Sequence, residues 1–357
     1  MGAGVIDLFC GAGGLTSGLE AEGLEVLGGF DLDPSCRYPY EANNFARFHL
    51  ADVGELEGSV LEEVWGDTST RVLAGCAPCQ PFSKYTQAKT ERDARWHLLD
   101  SFARLIGETK PTIVTMENVP ELTRHEIHND FVSDLRTAGY HVSETVVECT
   151  EYGIPQQRRR LVLLASMLGP IELVGPEAFG ARSVTVREVI GSLPRIAAGE
   201  HDEDDPVHRS SSLSAINLKR IRASRPGGSW KDWDEKLVAP CHTRSQGKGY
   251  RSVYGRMEWD KPAPTITTQA YGFGSGRFGH PEQDRALSLR EAAMLQTFPR
   301  DYAFVPAGRP VETKTIGRLI GNAVPVRLGR VVGRSINTHL NRHTSASRAA
   351  DVAARAS

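Results

Sequence analysis

The sequence predicts an α/β fold carried by a mostly parallel, doubly wound sheet, joined to a smaller loop-rich part. Three observations predict it. Short apolar runs at 5–9, 25–30, 71–74, 113–116, 142–147 and 161–165 read as buried strands. Amphipathic stretches such as 95–107 and 129–138 fall between them, the rhythm of a parallel sheet with crossover helices. Gly and Pro follow most of the runs, so the motifs sit on loops at strand ends.

That rhythm occupies 1–170 and breaks at Leu168-Gly169-Pro170. The expected organisation is a catalytic domain over 1–170, completed by 315–342, with a smaller domain over 171–314 and a frayed tail over 343–357. Helices are expected again near 289–297 and 324–340. The length of 357 residues, with 40% hydrophobic and 24% charged residues, suits such a two-part globular chain. Six dispersed cysteines form no disulfide framework, and the start lacks a basic leader and a cleavage site. No apolar run approaches membrane-spanning length. A reduced, cytoplasmic protein is therefore expected, without a membrane partner or a metal.

Net charge is −2, so the whole chain does not announce nucleic acid, yet a sum can hide a local basic face. Residues 216–256 hold ten Lys and Arg against three acids, interleaved with Trp230, Trp233, Tyr250 and Tyr254. That mixture suits phosphate clamping and groove contacts. The acidic stretch at 199–213 reads as an exposed loop.

Four motifs carry chemistry. The first is Asp7-Leu8-Phe9-Cys10-Gly11-Ala12-Gly13-Gly14, directly after the first strand, where glycines let backbone approach a ligand ahead of a helix N-terminus. Asp31 lies twenty residues past Gly11, at the end of the second run, where an acid can accept ribose hydroxyls. A dinucleotide fingerprint fails because Thr16 stands at its last small position, so an adenosine-containing cofactor is the reading. The second motif is Gly75-Cys76-Ala77-Pro78-Cys79-Gln80-Pro81-Phe82-Ser83. Two cysteines at this spacing suggest redox chemistry or zinc, but no further ligands accompany them. The third, Glu117-Asn118-Val119-Pro120, sets a carboxylate at a strand end as a candidate general acid. The fourth, Tyr152 to Arg160, runs a basic cluster into an apolar strand. Alternation would put Arg158 and Arg160 on one face and Arg159 on the other.

Together these motifs resemble the bacterial cytosine-5 DNA methyltransferase family over roughly 5–335. Asp-Leu-Phe-x-Gly-x-Gly-Gly at 7–14, Asp31, Asp52, Pro-Cys-Gln at 78–80, Glu-Asn-Val at 117–119 and Gln-x-Arg-x-Arg at 156–160 stand in the family's order. Arg-Glu-Ala-Ala-x-x-Gln-x-Phe-Pro at 290–299 and Gly-Asn-Ala-Val at 321–324 complete it. Asp31 replaces the family's more usual Glu, and Leu32 stands where an aromatic often covers the adenine. The resemblance implies a Rossmann-like S-adenosylmethionine-dependent methyltransferase fold with a target-recognition domain over 171–314, closed by the Pro262-Ala263-Pro264-Thr265 segment.

It also implies roles. Cys79 would be the nucleophile, Glu117 the acid at the cytosine ring, and Arg160, with Arg158 beside it, a further catalytic contact. Asp7, Phe9, Gly11, Gly13, Gly14, Asp31, Leu32, Asp52, Val53, Pro78, Leu98, Asn322 and Val324 would form the S-adenosylmethionine site. Gln80, Ser83, Arg244, Lys248 and Arg251 would touch double-stranded DNA. The chemistry asks for these types independently. Cytosine C5 becomes nucleophilic once a thiolate adds at C6, and the charge then developing at N3 and O2 wants an acid and an arginine. Cys76 is expected to be a packing residue. The implied setting is a restriction–modification, phage-defence or solitary epigenetic role, by a monomer that a cognate endonuclease could accompany. Two other functions stay open: an RNA cytosine-5 methyltransferase, which would want a second cysteine beside Glu117, and a catalytically inactive DNA-binding regulator on the same fold.

Overall fold

The computed structural model describes residues 3–77, 97–180, 182–243 and 252–356. Contacts divide the chain into two compact units: Met1–Glu148 with Arg159–Phe179 and Val326–Ser357, and Cys149–Arg158 with Gly180–Pro325. The chain therefore changes unit within the Gln-Gln-Arg-Arg-Arg run, a division that sequence rhythm did not suggest.

The first unit is a seven-stranded sheet with helices. In chain order its elements are β1 (Ala3–Leu8), α1 (Gly14–Ala21), β2 (Glu25–Asp31), α2 (Arg37–Asn43), β3 (Arg47–Leu50), α3 (Gly58–Trp65), β4 (Thr70–Gly75), α4 (His97–Thr109), β5 (Ile113–Asn118), α5 (Glu126–Thr137) and β6 (His141–Glu148). After the excursion into the second unit comes β8 (Arg159–Ser166), and α11 (Val326–Ala356) ends the chain. The strand order is β3-β2-β1-β4-β5-β8-β6. Neighbours from β3 to β5 pair in parallel, while β8 runs antiparallel to both β5 and β6. The mostly parallel doubly wound sheet is thus present with one reversed strand. The four-residue β3 was missed because it carries only one fully apolar inward residue, Phe48.

The central strands are buried along their whole length because helices cover both faces, which is why they read as continuous apolar runs. Ile6, Leu8, Phe30, Leu73, Phe102, Leu105, Val114, Met116 and Leu163 form part of one core. Helix α4 buries Leu99, Phe102, Leu105, Ile106 and Thr109, spaced three and four apart, and so presents one apolar stripe to it.

The second unit is built from short pieces: β7 (Gln156–Gln157), α6 (Val186–Ile190), α7 (Ala215–Ala223), α8 (Pro240–Thr243), β9 (Ala263–Pro264), α9 (Leu289–Leu295) and α10 (Thr313–Asn322). Its core gathers Ile221, Trp230, Trp233, Val253, Phe273 and Ala286. Trp230 stacks on His242 at 4.4 Å, and the Trp233 indole donates to Ser224 Oγ at 2.9 Å. Trp230 and Trp233, read in the sequence as a possible nucleic-acid surface, are therefore interior packing. The acidic stretch is also partly tied down: Asp205 takes a two-pronged hydrogen bond from Arg290, at 2.6 and 3.0 Å, and His208 and Ser210 are buried.

Among the described residues no helix is long and apolar enough to cross a membrane, and no cluster of His, Cys, Asp and Glu could hold a metal. Helix α11 continues to Ala356, through the segment expected to fray.

One close approach fixes α11 against the sheet layer. Gly18 of α1 lies where an added Cβ would sit 2.4 Å from the Val326 carbonyl oxygen and 2.6 Å from the Arg330 nitrogen. Gly329 returns the contact, its own Cβ position lying 2.8 Å from the Leu15 oxygen. Glu22 then pairs with Arg330 and Arg334, each at 2.8 Å. Gly18→Ala should destabilise the protein by about 2 kcal/mol or more, since two backbones must separate. Gly107→Ala, within α4 and with no atom within 4 Å of the added Cβ, should stabilise it by about 0.5–1 kcal/mol. Chemical denaturation of the two variants checks the contrast.

Candidate active site

Because β1 to β5 run parallel, their carboxyl ends share one edge of the sheet, and the reversed β8 brings its amino end to the same edge. Strand order switches direction at β1, between β2 and β4, the place where open α/β sheets bind ligands.

At that switch the Gly-rich turn leaves β1. Phe9 adopts φ 59°, a left-handed conformation rare for an aromatic residue, and Gly11 and Gly13 follow at φ 54° and 87°. Gly14 opens α1. Asp31, at the end of β2, holds the turn: its Oδ2 accepts the Gly11 N–H at 2.9 Å and its Oδ1 the Asp33 N–H at 2.9 Å. Gly11 has no atom within 4 Å of a notional Cβ, so the turn faces open space. Leu32 beside it is 63% exposed, an apolar surface in reach of a flat ring. Asp52 follows β3 and caps its own turn, accepting the Gly54 N–H at 2.8 Å, and Leu98 is half-buried at the start of α4. The Asp31 carboxylate as an acceptor, the exposed Leu32 as an apolar surface and the open space at Gly11 fit an adenosine group.

Four expected cofactor residues are set differently from those at the turn: two are buried and two belong to the second unit. Val53 is a core residue. Asn322 and Val324 belong to the second unit, at the end of α10 and just past it. Asp7 is 1% exposed and does not face the turn's open side. Its Oδ2 accepts the Thr16 hydroxyl at 2.7 Å, and Thr16 meets the Tyr40 hydroxyl at 3.0 Å, making a buried polar chain beneath the turn. Thr16, which broke the dinucleotide pattern, is thus the link between Asp7 and α2.

The chemistry-bearing pair lies further along the edge. Glu117 stands opposite Val162 in the β5–β8 ladder, and Arg160 lies two residues before Val162, on the same face. The Arg160 Nε reaches Glu117 Oε1 at 2.8 Å. The other oxygen is also held: the Cys76 thiol donates to Glu117 Oε2 at 2.9 Å. Cys76 follows Gly75, which pairs with Met116 in the parallel β4–β5 ladder, so register alone carries it beside Glu117. The Asn118 side-chain amide donates to the Ala77 carbonyl at 3.4 Å. Cys76 is therefore a polar partner of the predicted acid, not the packing residue expected.

Arg158 does not join this group. It belongs to the second unit, is 4% exposed, and donates to the backbone carbonyls of Ile266 and Ala323 at 3.2 and 3.4 Å. The expected alternation fails because β8 begins only at Arg159. Pro78, Cys79, Gln80 and Ser83, with Arg244, Lys248 and Arg251, lie outside the described residues. Of the other basic residues at 216–256, Arg222 and Arg256 pair with Asp284, Arg225 pairs with Asp232, and Arg220 lies over Trp233 and Tyr254. Much of that segment's charge is bound within its own unit.

A family model described as C-5 cytosine-specific DNA methylase matches residues 3–338. The type II methylase M.HgiDII of Herpetosiphon aurantiacus is 55% identical over 339 residues, covering 94% of this chain and 95% of the relative. The type II methyltransferase M.Eco47II of Escherichia coli is 30% identical, covering 93% and 78%. Among solved structures, an Escherichia coli prophage protein assigned as a DNA modification methyltransferase superposes with a TM-score of 0.72 at 21% identity, over 95% and 99% of the two chains. The Entamoeba histolytica methyltransferase EhMeth gives 0.67 at 16% identity, again over 95% and 99%.

The buried chain under the turn makes a testable electrostatic prediction. Burial raises the Asp7 pKa from 3.8 to about 7, the Thr16 hydrogen bond opposes the rise, and the Asp31 charge adds to it. A carboxyl that binds its proton more tightly when folded contributes stability that is complete below about pH 4 and is lost as pH rises through about 7. Asp7→Asn carries no such dependence. Its unfolding free energy relative to wild type should grow by about 2–4 kcal/mol between pH 4 and pH 8, measured by paired urea titrations.

Proposed function

Because the chain belongs to the C-5 cytosine-specific DNA methylase family, we propose that the carboxyl edge of its sheet methylates cytosine C5 in duplex DNA through Cys79, Glu117 and Arg160. The observation that carries this assignment of roles is the buried Glu117 carboxyl paired with Arg160 at 2.8 Å, on a strand two places along the sheet from the one that the Gly-rich turn follows.

The target cytosine must leave the stack, since C5 and C6 are inaccessible within a duplex. The Cys79 thiolate then adds to C6. An Sγ–C6 bond forms, and the ring electrons shift toward C5 and toward the N3 and O2 edge. Glu117 supplies a proton at that edge and Arg160 a fixed positive charge, both aligned before the reaction begins. S-adenosylmethionine, held at the Gly-rich turn, would supply the sulfonium methyl that C5 takes up, its sulfur leaving as a neutral thioether. The turn's part is to leave open space at Gly11 for close approach, with the Asp31 carboxylate for the ribose and Leu32 for the adenine. Water then takes the C5 proton, the electrons of that C–H bond expel the Cys79 thiolate from C6, and the proton at N3 returns to Glu117, which restores the aromatic ring.

The names of the relatives support a type II modification setting; a companion endonuclease directed at the same DNA site and a monomeric enzyme are further parts of this proposal. Readout of DNA falls in this proposal to Gln80, Ser83 and the three cations Arg244, Lys248 and Arg251.

Two measurements test the reading. A duplex carrying 5-fluorocytosine at the target should form a stable adduct with the wild type, because fluorine does not leave as the C5 proton does. Cys79→Ser should form none while still binding DNA; an adduct surviving that change would refute the assignment. Separately, neutralising Arg244, Lys248 and Arg251 together should lower the log–log salt slope of DNA affinity by roughly 2–3. An unchanged slope in a filter-binding series would move the DNA surface elsewhere.

A further inference from the structure

We infer that Cys76 is a positioning residue for the reaction, setting the orientation of the Glu117 carboxyl through its thiol; this rests on the roles proposed above for Glu117 and Cys79. A carboxyl anchored at one oxygen can still rotate about its terminal bond, which is a broad torsion. Arg160 Nε holds Oε1 as an ion pair at 2.8 Å, without the alignment of a hydrogen bond. The Cys76 thiol anchors Oε2 at 2.9 Å and removes that freedom. Glu117 is 4% exposed and Cys76 half-buried, so the two contacts are made where water competes poorly.

The chemistry of the donor matters as much as its place. A thiol is a weak donor with a weakly accepting sulfur, so it fixes the carboxyl without adding a second positive charge. Cys76 also ties the acid to the nucleophile's own segment, because it precedes Cys79 by three residues and continues directly from β4.

The other three described thiols, Cys10, Cys36 and Cys149, are buried, so Cys76 alone among them is partly open to solvent. A second cysteine beside Glu117 is also what a two-cysteine RNA-type mechanism would require. There a second cysteine serves product release, whereas a positioning thiol forms no bond to the base.

The test compares Cys76→Ala and Cys76→Ser with the wild type at saturating DNA and S-adenosylmethionine. Cys76→Ala should lower kcat by about 10-fold or more, the effect of one lost hydrogen bond to a charged or proton-donating group. Both KM values should stay within about 2-fold, as expected when only the transition state loses an interaction. The kcat–pH profile should shift along its acid–base limb. Cys76→Ser should recover most of the rate, because a hydroxyl donates from the same place. An independent readout needs no turnover: the infrared S–H stretching band removed by Cys76→Ser should change position in Glu117→Gln. Wild-type kcat and pH profile in Cys76→Ala, or Cys76→Ser as impaired as Cys76→Ala, would overturn the inference. So would an unmoved S–H band. Accumulation of a covalent enzyme–cytosine adduct in Cys76→Ala would overturn it in favour of product release. Failure of the underlying reading looks different, since the wild type itself would then transfer no methyl group while the infrared contact persisted.

Discussion

The structure depends on how β5 is held between two neighbours of opposite direction. Parallel pairing with β4 sets Gly75 against Met116, and antiparallel pairing with β8 sets Glu117 against Val162. Each register is fixed by burial, since a slip of one residue would turn the apolar side of a core strand the wrong way. Once both are fixed, the carboxyl of Glu117 has no choice of company. The residue after β4 and the second residue of β8 arrive at its two oxygens from opposite sides. Burying a carboxyl group is costly unless its oxygens have partners, and these contacts make the position tolerable. The reversal of β8 is essential here. A parallel strand would deliver its amino end to the far edge of the sheet, and Arg160 with it.

The same sheet supports the neighbouring turn in a different way. Leu8 pairs with Phe30 on one side and Gly75 on the other, so the chain leaves β1 at a fixed height and must turn within a few residues. The left-handed Phe9 and the two positive-φ glycines make that turn, and Asp31 holds it by accepting the Gly11 N–H. Beneath lies the chain from Asp7 through Thr16 to Tyr40. A polar group so deeply buried has a large desolvation cost, which appears in the raised pKa of Asp7. The turn is therefore strained above and polar below, a combination that persists only because the flanking strands over-determine it.

The second unit, taken by itself, shows how polar residues can make a core where regular elements are few. Arg285, fully buried, makes two bonds of 2.7 Å to Glu291, and Glu291 also caps α9 through the Ser288 N–H. Arg256 gathers the carbonyls of Ile221, Ser224, His280 and Gln283 and pairs with Asp284. Loops leave backbone carbonyls without ladder partners, and a guanidinium with five donors satisfies several at once. Cations that look in the sequence like a nucleic-acid surface thus serve partly as internal scaffolding, and the net charge of the segment overstates its outward field.

The sequence by itself determined the fold class and the parallel strands, and it singled out Glu117, Arg160, Asp31 and the Gly-rich turn as candidates. These depend on local signals: continuous apolar runs, glycines at fixed offsets, and polar residues placed where a strand ends. Only the tertiary structure decided which of them meet. Arg158 and Arg160 are alike in sequence, yet one faces carbonyls of the second unit and the other faces Glu117, because the strand begins between them. Trp230 and Trp233 look exposed among basic residues until the loops fold inward and bury them. Cys76 reads as a packing residue beside a more conspicuous cysteine, and nothing local marks its thiol as a partner of an acid 41 positions away. Strand register brings distant side chains into contact, and register is a property of paired strands that no single stretch of sequence contains.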